Sequence, residues 1–177
     1  MASTKERKQE TPVRKGRGPS PAGPNAKEGG IALRAGEYED ALRAFDDALA
    51  LDPKHPYSLY GAAWALTKLV EASPEDARAQ RILPLAERLL DVTPPHAHWE
   101  GVADEELPRK AIAFALATRA SMRAARGKGA KDFQAALGFI DKALAMTRPT
   151  DDADSQRAYA ETRARVLVKL GKVDEAR

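Results

Sequence analysis

From Asn25 to Pro53 the apolar positions fall into two short helical stripes, broken at Arg34-Ala35-Gly36 and closed by Leu51-Asp52-Pro53. In the second stripe Ala41, Phe45, Ala48 and Leu49 recur at i, i+4, i+7 and i+8, while Glu39, Arg43, Asp46 and Asp47 fall elsewhere. That is the spacing of a helix that buries one face. A single hairpin of this kind cannot cover both of its faces, so the pattern predicts further helices stacked against it.

The same periodicity returns along the chain. From Pro56, Leu59, Ala62, Ala63 and Leu66 share a face, and Ile82, Leu85, Ala86 and Leu89 form a stripe running toward Thr93. A long helix is expected from Arg109 to Arg126, followed by a stripe of Phe133, Ala136, Leu137, Ile140, Ala143 and Leu144. Ala160, Ala164, Leu167 and Leu170 predict the face of one more helix. Local punctuation agrees with these limits. Ser73-Pro74-Glu75-Asp76 offers a cap, a first-turn proline and acids for the positive end of a helix dipole. Pro84 should kink or divide the helix that follows. Residues 95–108 read as an irregular bridge, Gly127-Lys128-Gly129 as a helix-helix turn, and Asp151-Asp152-Ala153-Asp154-Ser155 as a cap.

Gly36, Tyr38, Ala41, Phe45, Ala48 and Pro53 together resemble the signature of the tetratricopeptide repeat, a helix-turn-helix unit of roughly 34 residues that stacks into a superhelix. The first helix departs from the pattern: Glu28 stands where the family usually has leucine, and Gly29-Gly30 predicts fraying at its start. Gly171, Val173, Glu175 and Ala176 repeat the spacing of Gly36, Tyr38, Asp40 and Ala41, so a further unit begins just before Arg177. The resemblance implies an all-α fold: stacked antiparallel helix-turn-helix repeats in a right-handed superhelix, about three and a half repeats. The expected layout is a disordered basic tail over residues 1–24 and a repeat domain over 25–177, with units at about 25–55, 56–95, 96–149 and an incomplete 150–177 that stops in mid-motif.

Composition narrows the function. Aromatics make up only 6% of the chain and β-branched runs are nearly absent, so helices must supply the core. There is no cysteine, which removes disulfides, thiolate nucleophiles and cysteine zinc sites together. No apolar run approaches the ~20 residues that span a bilayer, and the first ten residues are polar, so the expectation is a soluble, cytoplasmic protein. The net charge of +3 is uneven: residues 1–28 carry seven Lys or Arg against three Glu, leaving −1 for the remainder.

Candidate chemistry is sparse. His96 and His98 flank Ala97 beside Trp99, with Asp91 and Glu100 near in sequence, but they lie in a proline-rich connection without zinc spacing, so no metal site is expected. No Gly-x-Ser-x-Gly elbow or phosphate loop is present, and neither catalytic residues nor a cofactor are expected. The chain therefore reads as a protein-interaction scaffold or adaptor that binds a partner's peptide or helix. In the resembled family the concave surface is lined mainly by the first helices of successive repeats. Tyr57, Tyr60 and Trp64 recur at i, i+3 and i+7 on such a helix and either face the groove or pack on the next helix. Lys68 and Arg34, with Lys27, Arg119 and Arg123, would add positive charge to that surface and favour an acidic ligand. Asn25 is the only asparagine, so the asparagine-lysine clamp by which some repeats of this family hold a terminal carboxylate is not expected. Two other readings stand beside this one. One is a nucleic-acid or ribosome-associated factor acting through Lys5, Arg7, Lys8, Arg14, Lys15 and Arg17; the other is the repeat portion of a larger enzyme or regulator continuing past Arg177.

Overall fold

The structure, a computed structural model, describes residues 20–73, 76–94, 99, 102 and 104–176. Most of the tail predicted over residues 1–24, together with His96, His98, Glu100 and Arg177, lies outside the described residues. The described ones form seven α-helices and no strand: α1 Gly23–Ala35, α2 Tyr38–Leu51, α3 Pro56–Ala72, α4 Ile82–Val92, α5 Leu107–Arg126, α6 Ala130–Ala145 and α7 Ala153–Lys169. Single 3-10 turns cover Ala77–Arg81 and Val173–Ala176.

Each helix packs on its successor in the chain. The pairs run antiparallel: Ser20 before α1 reaches Asp52 after α2 at 3.2 Å, and Arg109 at the start of α5 meets the Met146 carbonyl beyond α6. Odd-numbered helices consequently run parallel, and the ends of α5 and α7 meet where Lys169 Nζ donates to the Ala124 carbonyl at 2.7 Å. Contacts also link α1 with α3, α3 with α5, and α5 with α7, so the first helices of successive hairpins form one layer.

Helix ends follow local chemistry. Gly36, at φ +80°, terminates α1 and donates its N–H to the Ala32 and Leu33 carbonyls. His55 caps α3, its Nδ1 accepting from the Ser58 backbone N–H, and Asp152 caps α7, accepting from the Ser155 N–H at 2.8 Å. The stretch from Ser73 toward Thr93 is divided rather than kinked: the chain makes a 3-10 turn first, capped by Asp76, and α4 starts at Ile82 with Pro84 in its first turn, where an N–H is dispensable. Two sequence expectations are corrected. On α7 the buried residues are Tyr159, Val166 and Leu167, whereas Ala160 is exposed: an alanine stripe carries too little apolar area to fix which face turns inward. α1 begins at Gly23 with Ala22 buried, so the first helix includes residues ahead of Asn25.

Two cores share α5. Ala111, Phe114 and Ala115 join the cluster built around Phe45, Leu59, Leu66 and Leu89, while Ala113, Ala117, Ala120 and Ala124 face Leu137, Ile140, Val166 and Leu167. Phe45 is fully buried between two helical glycines. A Cβ on Gly29 would stand 2.9 Å from its ring and one on Gly61 2.2 Å. Gly29 and Gly30, which suggested a weak helix start, are buried in mid-helix and give rings of neighbouring helices close access to the α1 backbone, Phe45 at Gly29 and Tyr57 at Gly30.

Candidate functional site

Six aromatic side chains form one continuous line across the stack. Phe45 meets Tyr57 edge-on at 5.6 Å, Tyr57 meets Trp99 at 6.1 Å, and Trp99 meets Tyr60 at 6.3 Å. Tyr60 then touches Phe114 edge-on at 5.9 Å and Trp64 at 6.1 Å, and Trp64 packs on Phe114 at 5.3 Å. The line begins inside the core and ends at a cavity.

That cavity, about 270 Å³, lies between α3, α5 and α7. Tyr60, Trp64, Phe114 and Tyr159 supply its aromatic wall; Asp104, Lys110, Thr147, Asp151, Asp152, Ser155 and Gln156 supply its polar rim. The rim lies at the N-terminal ends of α5 and α7, which parallel packing brings side by side. Arg109 fixes this edge by gripping Asp151 through both guanidinium nitrogens, at 2.6 and 2.8 Å. The pair is mostly shielded from solvent, and the Arg109 guanidinium holds the Asp151 carboxyl down at about 2. Burial pushes both phenols, Tyr60 and Tyr159, well above the ordinary tyrosine value, so both stay neutral. Neither hydroxyl has a hydrogen-bond partner among the described residues.

The residues proposed from sequence separate. Tyr60 and Trp64 line the cavity, and Lys68 lies beside it, its ammonium 5.4 Å from the Trp64 ring centre and bonded to Glu71. Tyr57 packs into the core against Phe45, Trp99 and the α1 backbone at Gly30. Arg34, exposed in the last turn of α1, does not line the cavity, nor does Lys27. Arg119 and Arg123 line a different depression with Leu83, Glu87 and Met122, where Arg119 stacks 4.5 Å from the Phe139 ring. The positive surface expected from sequence is thus not assembled here, and the rim holds three aspartates against one lysine. Sequence reading missed Trp99, Phe114 and Tyr159. Trp99 falls in the stretch read as an irregular bridge yet is only 6% exposed, and only its size in a chain with two tryptophans marks it for burial.

Hairpins that stack with their first helices in one layer, an αL glycine between the helices of the first hairpin and a proline just after it describe a repeat architecture. Residues 26–55 match the family model of the tetratricopeptide repeat. The chain carries a tetratricopeptide repeat. Its α1 and α2 make up the matched unit, and α3 with α4 and α5 with α6 repeat the same hairpin, followed by α7 and the 3-10 turn. No curated protein matches the chain. Tetratricopeptide repeats generally serve as non-enzymatic scaffolds for protein-protein interaction. Among the described residues no helix is long and apolar enough to cross a membrane, and no group of three or more metal-ligating side chains occurs.

Proposed function

We propose that the layer formed by α3, α5 and α7 is the binding face of a cytoplasmic, non-catalytic adaptor and that it receives an extended peptide segment of a partner protein. The observation that carries this reading is the cavity at the end of the aromatic line, walled by Tyr60, Trp64, Phe114 and Tyr159 with two phenol hydroxyls unpartnered among the described residues. Large rings that combine apolar area with a polar tip are the usual anchors of peptide recognition. At about 270 Å³ the space falls below the ~300–1,000 Å³ of small-molecule sites and suits one inserted side chain.

The test uses the full chain immobilised in soluble extract of its source cells. Ser155→Arg projects a long side chain into the cavity from the rim, and Glu161→Arg places the same residue on an exposed position of α7 that does not line it. Proteins held by the wild type and by Glu161→Arg, but lost with Ser155→Arg at unchanged helical signal, support the groove. Equal capture by all three refutes it.

A further inference from the structure

The chemistry of the rim says what kind of side chain the cavity takes. Its dedicated donors are already committed within the protein. The Gln156 amide donates to the Arg148 and Asp151 carbonyls at 3.0 and 2.9 Å, the Thr147 hydroxyl to the Leu144 carbonyl at 2.7 Å, and Lys110 Nζ to Asp104 at 2.9 Å. What stays open is a spare carboxylate oxygen on Asp152, which only accepts, the two phenol hydroxyls, which accept as well as donate, and the electron-rich faces of the rings. Charges on the rim follow the same sense. Lys110 pairs with Asp104 and Arg109 with Asp151, which leaves Asp152, exposed and bonded only at the cap of α7, as the rim carboxylate without an ion pair among the described residues; Lys68, paired with Glu71, acts on it only at longer range.

An anion entering this site would meet carboxylates and ring faces, while the cations at hand among the described residues, Lys110 and Lys68, are already paired with Asp104 and Glu71. A cationic donor would meet both the carboxylates and the ring faces. The protein's own side chains make the same contact nearby: Lys68 rests over Trp64, and elsewhere Arg119 lies over Phe139 and Lys169 over Phe133. Tyr159, 9% exposed, lines the cavity and makes no hydrogen bond to another described residue, so its hydroxyl is free to meet a ligand there.

We infer that the cavity between α3, α5 and α7 is a subsite for an arginine side chain of a basic peptide segment in a partner protein, held by the ring faces of Trp64 and Phe114, the hydroxyls of Tyr60 and Tyr159, and the Asp152 carboxylate. Arginine fits better than lysine because its planar guanidinium stacks on rings while its edge donates in several directions. The inference rests on the peptide-groove reading above and reverses the ligand charge expected from sequence.

The experiment titrates the isotope-labelled full chain with blocked pentapeptides Ala-Ser-Arg-Ser-Ala, the same peptide with citrulline for arginine, and the same with glutamate, and follows backbone amide shifts. The arginine peptide should move signals of residues 104–114 and 152–159 with a Kd about tenfold below that of the neutral citrulline peptide, and the glutamate peptide should move none. Asp152→Asn keeps a good helix cap while removing the charge, and Tyr159→Phe keeps the ring while removing the hydroxyl. Each should weaken arginine binding about fivefold or more with the melting temperature nearly kept. The proposal is overturned by equal or tighter binding of the glutamate peptide, by no shift at about 10 mM arginine peptide, or by wild-type affinity in both variants. Shifts in the same signals that grow with protein concentration alone would give the cavity to a second copy and also overturn it. If Ser155→Arg loses the partner while no arginine peptide binds, the groove stands and the arginine subsite falls; arginine binding with unchanged capture by Ser155→Arg gives the converse.

Discussion

Gly61→Ala separates helix propensity from packing, because the two predict opposite signs. Gly61 lies inside α3, where alanine is favoured over glycine by about 1 kcal/mol on propensity alone. Its new Cβ, however, would stand 2.2 Å from Phe45 Cζ, 2.3 Å from Cε2 and 2.6 Å from Cε1. Ordinary carbon contacts begin near ~3.5 Å, so the ring must retreat by more than ~1 Å. It has no free direction. The α1 backbone closes on the ring at Gly29, where a Cβ would come within 2.9 Å of it, and Tyr57 meets it edge-on. Overpacking of this kind costs about 1–3 kcal/mol and sometimes more, and the severity of this contact places it at the upper end, so the net loss is about 2 kcal/mol. For a chain of this size that lowers the melting temperature by about 4–8 °C.

Urea and thermal unfolding followed by circular dichroism measure the change, with two companions that make the result interpretable. Gly138→Ala in α6 has nothing within 4 Å of its new Cβ and is exposed, so it should stabilise by about 0.5–1 kcal/mol. Phe45→Leu shortens the ring that Gly61→Ala strikes, and the double variant should recover at least about 1 kcal/mol relative to the sum of the single losses. Gly61→Ala at or above wild-type stability, or moving in the same direction as Gly138→Ala, would refute the clamp around Phe45.

Three further outcomes follow from other contacts. Gly30→Ala should destabilise because its Cβ would lie 2.2 Å from the Tyr57 hydroxyl oxygen, and Tyr57→Phe should largely rescue it, as double-variant melting curves will report. His55 caps α3 through an unprotonated Nδ1, and burial lowers its pKa below the ordinary histidine value. The cap's contribution is therefore full above about pH 6.5 and is lost as pH falls below it, so the melting temperature of wild type should fall more between about pH 6.5 and 5 than that of His55→Asn. Asp151, depressed to about 2 chiefly by Arg109, contributes stability that is full above about pH 4 and lost as pH falls through about 2; Asp151→Asn should cost about 2 kcal/mol at neutral pH, with the gap to wild type closing in acid.

The repeat scaffold was legible because periodicity and punctuation agreed at the first hairpin: Gly36 adopts φ +80°, and Ala41, Phe45, Ala48 and Leu49 are all buried. Helix limits elsewhere came close for the same reason, as at Gly127-Lys128-Gly129 between α5 and α6. The turn at Ala77–Arg81 was not legible, because it depends on Arg78 bridging Asp76 to Glu39 across 39 positions of sequence. Of the aromatic stripe, spacing identified a helix face but not its neighbour. Tyr57 and Tyr60 are three residues apart on α3, yet the first meets α1 and α2 while the second meets α5. The sign of the rim charge was likewise hidden, since Asp104, Asp151 and Asp152 come together only when α5 and α7 pack in parallel.

Small residues and large rings together explain where the chain packs tightly and where it leaves space. Around Phe45 the glycines stand where rings arrive, so backbone and ring close on one another and no cavity forms. Beside Tyr60 and Trp64 the opposing positions are also short: Ala113 on α5, Thr147 after α6 and Ser155 on α7. Here no further ring arrives to fill the gap, and Tyr159 reaches it only from the side of α7. Filling such a space would favour stability, as Gly138→Ala should by simpler means, so a substitution such as Ser155→Leu offers a direct comparison. The extra apolar volume should raise the melting temperature while removing arginine-peptide binding. A Ser155→Leu protein that is more stable and still binds the peptide would mean that the void is incidental to recognition; one that is more stable and no longer binds would tie the missing side chain to the partner.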